Sequence, residues 1–190
     1  MNGISIFLII LAIVVVVGLW FIVTYNQLIK LRNWVKEAWS QIDVQLTRRN
    51  DLIPNLVETV KGYAKHERET LESVIEQRKQ VVQLQAGDAS PEQVMAASNQ
   101  LSQTLKSIFA LSESYPDLKA NSNFIALQEE LSNTENKIAY ARQLYNSSVA
   151  EYNIKRESIP SNIVASLGNF KAEALLQAEE AARTAPKVQF

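Results

Sequence analysis

The chain has 190 residues, with 19 basic and 20 acidic side chains, a formal net charge of −1 and no cysteine. Without a concentrated basic surface, nucleic acid is excluded as the main partner, and without thiols there is no cysteine nucleophile or thiolate metal cluster. Five glycines and five prolines in a sequence rich in Ala, Leu, Gln and Glu leave little room for a sheet and predict long helices.

The first predicted element is an uncharged run from Ile4 to Val23, dominated by Ile, Val, Leu and Phe. A helix of about 20 residues reaches ~30 Å, the thickness of a bilayer's hydrocarbon core, and satisfies its own backbone there. A secretory signal would open on a basic region and close on a small-x-small cleavage site. Met1-Asn2-Gly3 carries no Lys or Arg, and the run exits through Trp20-Phe21-Ile22-Val23-Thr24-Tyr25. Trp20, Phe21 and Tyr25 suit an interfacial aromatic belt. Gly18 is a lone small residue between Val14 and Ile22, so the span carries no Gly-x-x-x-Gly dimerisation motif. Lys30, Arg32 and Lys36 follow the span and no basic side chain precedes it. The positive-inside rule then places the N-terminus outside and the rest of the chain in the cytoplasm.

Beyond the span, Leu28, Val35, Ile42, Arg49, Leu56 and Tyr63 recur every seventh residue, with Leu31, Ala38, Gln45 and Leu52 as the companion position. This is a heptad seam with polar Gln45 and Arg49 set into it. The spacing predicts a helix continuing from the span to about Gln85, broken at Ala86-Gly87-Asp88 and interrupted or kinked near Asn50 to Asn55 by Pro54. A second helix should start at Ser90 as N-cap, with Pro91 at N1 and Gln93 completing a capping box. It should run to about Ser114 with Val94, Leu101, Leu105, Ile108 and Leu111 inward, and Tyr115-Pro116-Asp117 should end it. A third helix takes Phe124, Leu131, Ile138, Tyr145 and Tyr152 as one heptad position and Leu127, Thr134, Ala141 and Ser148 as the other, ending near Ser158. An Ala-rich last helix is expected from Ile163 to Arg183, weakened by Gly168.

The expected fold is all-α: a tail at 1–3, a single transmembrane helix at 4–24 and an antiparallel, four-helix-type bundle at 25–190. No repeat of solenoid length is visible.

Several stretches carry a family likeness. Tyr25-Asn26-Gln27-Leu28, Leu31-Arg32-Asn33, the run Ala38 to Leu46, the run Arg48 to Val57 and Val60-Lys61-Gly62-Tyr63 resemble the bacterial LemA family. So do Arg142-Gln143-Leu144-Tyr145-Asn146, Tyr152-Asn153, Ile159-Pro160-Ser161-Asn162 and Pro186-Lys187-Val188-Gln189-Phe190. The resemblance covers nearly the whole chain. One departure is Leu175-Leu176, where the family often has aromatic residues. The resemblance implies a membrane-anchored helical bundle, a short tail outside, the bulk of the chain in the cytoplasm and no firmly attached enzymatic activity.

The residues themselves offer little catalytic chemistry. A di-iron bundle needs paired Glu-x-x-His motifs, whereas the single histidine, His66, follows Tyr63 by three and sits in the charged run Lys65 to Glu69. Isolated Gly62, Gly87 and Gly168 make no phosphate loop. No catalytic, cofactor-binding or metal-ligating residue is therefore expected. Polar residues on apolar seams are the candidates instead: Gln45, Arg49, Asn50, Asp51, Pro54 and Asn55 on the first helix, and Arg142, Tyr145 and Asn146 on the third. They read as a buried hydrogen-bonded layer fixing register, in which Arg49 needs a carboxylate such as Asp51 or Glu135, or alternatively as a partner-binding patch. Trp34 and Trp39 divide between core packing and headgroup contact, with a contact between protomers as the alternative.

The sequence thus reads as a scaffold or adaptor at the inner membrane of a bacterial cell, with the lipid bilayer and an unidentified protein as partners and homo-oligomerisation as a further option. A self-assembling, membrane-organising protein is the first alternative, and an unrecognised enzyme or metal-binding bundle the second.

Overall fold

The structure, a computed structural model, describes residues 3–177. Among these its only regular secondary structure is helical, with no strand. Helix α1 (Gly3–Tyr63) carries the apolar span and continues without a break into the first packed helix; α2 (Arg68–Ala86) and α3 (Pro91–Leu111) follow. A 3₁₀ turn (Ser112–Ser114) and the one-turn α4 (Pro116–Lys119) lead into α5 (Ser122–Glu157), and α6 (Ser161–Leu167) closes the helical part.

Two of the expected boundaries move. The first helix does not reach Gln85: it stops at Tyr63, and Ala64 to Glu67 turn the chain into α2. Of the interruption or kink expected near Pro54, the interruption is absent: α1 is helical through it. Pro54 has no N–H for the carbonyl of Asn50 four residues back. Arg78 Nε–H fills the vacancy from α2, at 2.6 Å. The reversal at Ala64 is what brings α2 back along α1, so that Leu71, Val74 and Val81 join a core with Ile53, Leu56, Val60, Leu101, Ile108 and Phe124. A straight continuation would leave those side chains in water.

The helix expected to start at Ser90, α3 in the structure, starts as the capping box requires. Ser90 Oγ accepts from Gln93 N–H, and the Gln93 side chain accepts from the Ser90 N–H. Asn121 Oδ1 accepts from Phe124 N–H at 3.0 Å and caps the start of α5.

The described residues fall into two compact units. The first comprises residues 3–38 and 145–175, the second 39–144 together with 176–177. In the second unit the side-chain bonds set an antiparallel register. Asp43 and Asn50 on α1 both meet Gln85 on α2, and Asn50 also meets Arg78. Along α5, Asn121 bonds Tyr63, Glu130 pairs with Arg48, and Glu135 reaches Arg49.

The seams are heptads that slip by one residue. Leu28, Val35, Ile42 and Leu56 are buried, but Tyr63 is exposed and Ala64 is buried in its place. The companion position likewise moves from Gln45 and Leu52, both half-buried, to Leu46 and Ile53, both fully buried. A straight α-helix drifts ~20° per heptad, so five heptads from Leu28 turn the buried face by about one residue. In α5, Phe124, Leu131, Ile138, Tyr145 and Tyr152 are all 3% exposed or less, while the companion position shifts from half-buried Ser148 to Val149.

The last helix is much shorter than expected. α6 ends at Leu167, residues 170–177 are non-helical, and 178–183 lie outside the described residues. Asn169 adopts a left-handed φ of 50°. Phe170 N–H donates to Ala165 O at 3.0 Å and Asn169 N–H to Ser166 O at 3.2 Å, the paired bonds of a Schellman stop. A Cβ on Gly168 would sit 2.5 Å from the Phe170 ring, so glycine is what lets that ring fold back.

Candidate functional site

The polar residues of the α1 seam resolve into a built network in the second unit. Arg49, on the buried face of α1, has a side chain only 1% exposed. A buried guanidinium needs acceptors for its fork of donors and a countercharge. Three residues supply them. Its Nη1 donates to Ser102 Oγ at 2.8 Å and to Glu135 Oε2 at 3.1 Å. Its Nη2 donates to Ser98 Oγ at 2.6 Å and to the Ser98 carbonyl at 3.3 Å. Glu135 is 37% exposed, so the countercharge comes from the solvated rim and only the cation is fully desolvated. Ser102 Oγ lies 3.2 Å from both carboxylate oxygens, which ties α3 to α5 as well as to α1.

Asp51 takes no part in this network and is exposed; the carboxylate is that of Glu135. The helical period explains the choice, since Asp51 is two residues from Arg49 and points elsewhere. The two serines were not singled out in sequence. Their signal was their spacing: Ser98 and Ser102 are four apart, on the same α3 face as Val94, Leu101 and Leu105.

Asn50 extends the layer toward α2. Its Nδ2 donates to Gln85 Oε1 at 2.8 Å, and Gln85 Nε2 donates to Asp43 Oδ1 at 2.8 Å. Gln45 is half-buried, with Oε1 lacking a partner among the described residues. Pro54 and Asn55 are exposed, and Asn55 lines an open groove of about 500 Å³ with Glu58, Thr59, Asn123, Ala126 and Leu127. Arg142 is half-buried on α5.

The first unit holds the other candidates. Tyr145 is buried and Asn146 half-buried. One heptad on, Tyr152 and Asn153 hold the non-helical segment after α6. Tyr152 Oη–H donates to Lys171 O at 2.7 Å, while the Asn153 amide pairs with both Glu173 O (2.8 Å) and Glu173 N–H (3.2 Å). Burial raises the Tyr152 pKa above its ordinary value, and the Glu173 carboxylate adds to the rise against the pull of Arg32 and Arg156. Tyr25, expected in an aromatic belt, is 37% exposed and also makes ring contacts: Phe21 stacks on it at 6.5 Å, and it meets Phe170 edge-on at 5.4 Å. Arg32 lies over the other part of this cluster, 5.2 Å from the Phe170 ring. Trp20 is half-buried; Trp34 is exposed and carries the Lys30 ammonium 4.7 Å from its ring, and Trp39 is half-buried. His66 is exposed, and no group of carboxylates and imidazoles among the described residues could hold a metal ion.

These features define a class: an all-helical protein with a long apolar N-terminal helix, registered internally by polar layers. The profile of the LemA family matches residues 38–190. The chain belongs to the LemA family. It is 26% identical over 185 residues to Protein LemA of Metamycoplasma hominis, covering 96% of this chain and 83% of that one. It is also 24% identical over 171 residues to Magnetosome protein MamQ of Magnetospirillum gryphiswaldense, covering 77% of this chain and 62% of the relative. Magnetosome protein MamQ 2 of Paramagnetospirillum magneticum is 24% identical over 184 residues, covering 84% of this chain and 67% of its own. None of these three relatives is named for an enzymatic activity.

Proposed function

We propose that this protein is a scaffold or adaptor anchored in a bacterial inner membrane by Ile4 to Val23, with its packed helices in the cytoplasm. One observation carries the reading: the most apolar window of α1 has none of its residues buried, and it runs without a break into a helix whose next residues are packed. A stretch of that length and hydropathy, left bare on every face, needs a solvent of its own kind. Lys30, Arg32 and Lys36 support the orientation. The Arg49 and Asn50 layers support a structural role for the seam residues, since the Arg49 guanidinium and Asn50 Nδ2 donate to neighbouring helices. That leaves the open groove beside Asn55 as the surface for a partner protein.

The chain has no cysteine, so single-cysteine variants report topology cleanly. Ser107→Cys, on an exposed turn of α3, should react with an impermeant maleimide only after the cells are lysed. Labelling in intact cells would reverse the orientation. Crosslinking in cells from Asn55→Cys tests the scaffold role, with adducts to another protein expected. A second reading is self-assembly that organises the membrane; the likeness to magnetosome proteins supports only the membrane association that both readings share. Adducts between copies of this chain alone, with oligomers surviving mild detergent, would support that reading over the first.

A further inference from the structure

The end of the apolar span borders a cleft of about 410 Å³ within the first unit, lined among others by Trp20, Lys30, Trp34, Glu151, Lys155 and Ile159. Trp20 lies inside the span, and Lys30 lies seven residues beyond Val23, ~10 Å further along the helix. The polar layer of a bilayer extends about 5–8 Å beyond the hydrocarbon core on each side, and a lysine stem reaches back several Å more. The cleft therefore opens at headgroup depth. Its charge is two lysines against one glutamate, and neither lysine is in an ion pair with a carboxylate among the described residues.

The segment on the far side of the cleft is apolar where it should be polar. Ile159 is 85% exposed, and Ile163 and Leu167, four apart on one face of α6, are 56% and 73% exposed. Single exposed aliphatics are ordinary. Three within nine residues, adjoining a cationic cleft that begins in the span, form a continuous surface with an apolar and a basic part.

We propose that this cleft binds the phosphate of an anionic phospholipid headgroup through Lys30 and Lys155, while Ile159, Ile163 and Leu167 enter the interfacial layer beside it. α6 is then a second membrane contact, separate from the span. The inference rests on the reading of Ile4 to Val23 as a bilayer anchor, and the test separates the two.

The full chain is reconstituted into phosphatidylcholine vesicles with and without phosphatidylglycerol, carrying an environment-sensitive dye at Ile10→Cys, Ile163→Cys or Ser107→Cys. Blue-shifted emission, quenched by lipid-borne quencher, is expected at positions 10 and 163 and not at 107. A lipid signal at 10 with an aqueous signal at 163 overturns the inference and leaves the anchor standing; an aqueous signal at 10 overturns both. Retained phosphatidylglycerol is then measured by native mass spectrometry. Lys30→Gln with Lys155→Gln should weaken phosphatidylglycerol retention about fivefold per lysine and leave phosphatidylcholine unchanged. Equal phosphatidylglycerol retention by the double variant and the parent overturns the headgroup assignment.

Discussion

Arg49 occupies a seam position where a leucine would pack, and Ser98, Ser102 and Glu135 replace the acceptors that water would offer it. Removing one partner of a buried ion pair typically costs ~3–5 kcal/mol, toward the lower end here because Glu135 keeps contact with solvent. Arg49→Ala should lower the melting midpoint by about 6–12 °C in thermal circular dichroism, at ~2–4 °C per kcal/mol for a chain of this size. Arg78 offers a sharper test, since its donation to Asn50 O matters only while Pro54 withholds a donor. Arg78→Ala should cost about 1–3 kcal/mol, and distinctly less in a Pro54→Ala background. Equal losses in both backgrounds, read from a double-mutant cycle, would refute that coupling. Tyr152 predicts a pH dependence. Its pKa is raised in the folded state, so the neutral hydroxyl's contribution is complete below about pH 10 and is lost as pH rises through the folded value. In denaturant titrations Tyr152→Phe should be less stable at neutral pH by ~1 kcal/mol. That gap should narrow above about pH 10, where the parent alone carries the titration.

At the scale of elements, the heptads of α1 and α5 were legible because burial of one face imposes its period on the sequence. The residues at which the seam slips were not, because the ~20° drift per heptad accumulates along a straight helix and depends on whether it supercoils. The capping box at Ser90 was readable for a different reason: it is satisfied within four residues and needs no tertiary partner. The local cost of Pro54 was visible in the sequence, whereas its compensation by Arg78 lies 24 residues away in sequence and one helix away in space. α6 stops at Leu167 where Phe170 folds onto Tyr25 and Arg32, tertiary contacts that helix propensity along the sequence does not register. Two substitutions probe this stop. Asn169→Gly should stabilise the fold by up to about 1 kcal/mol, because glycine adopts a left-handed φ without strain. Gly168→Ala should destabilise it, since the added methyl meets the Phe170 ring at 2.5 Å. Chemical denaturation of both variants against the parent measures the pair.

For the whole molecule, none of the residues in the most apolar window of α1 is buried, so the proposed anchoring can be tested apart from packing. Deleting residues 3–19, which spares the half-buried Trp20 and Phe21, should move the protein from the membrane fraction to the soluble one. The melting midpoint in detergent should stay within a few degrees of the parent, because Thr24 and the seam from Leu28 onward remain. A fall as large as that of Arg49→Ala would mean that the span also holds the packed helices together. The sequence alone was enough for the helical class, the long apolar run, the seams and the family likeness, since each arises from the period or composition of a contiguous stretch. Only tertiary structure could decide that Glu135 rather than Asp51 faces Arg49, that Ala64 to Glu67 reverse the chain, and that Tyr152 and Asn153 hold the segment after α6. Those choices join residues far apart in sequence, and their energies exist only once the helices have packed.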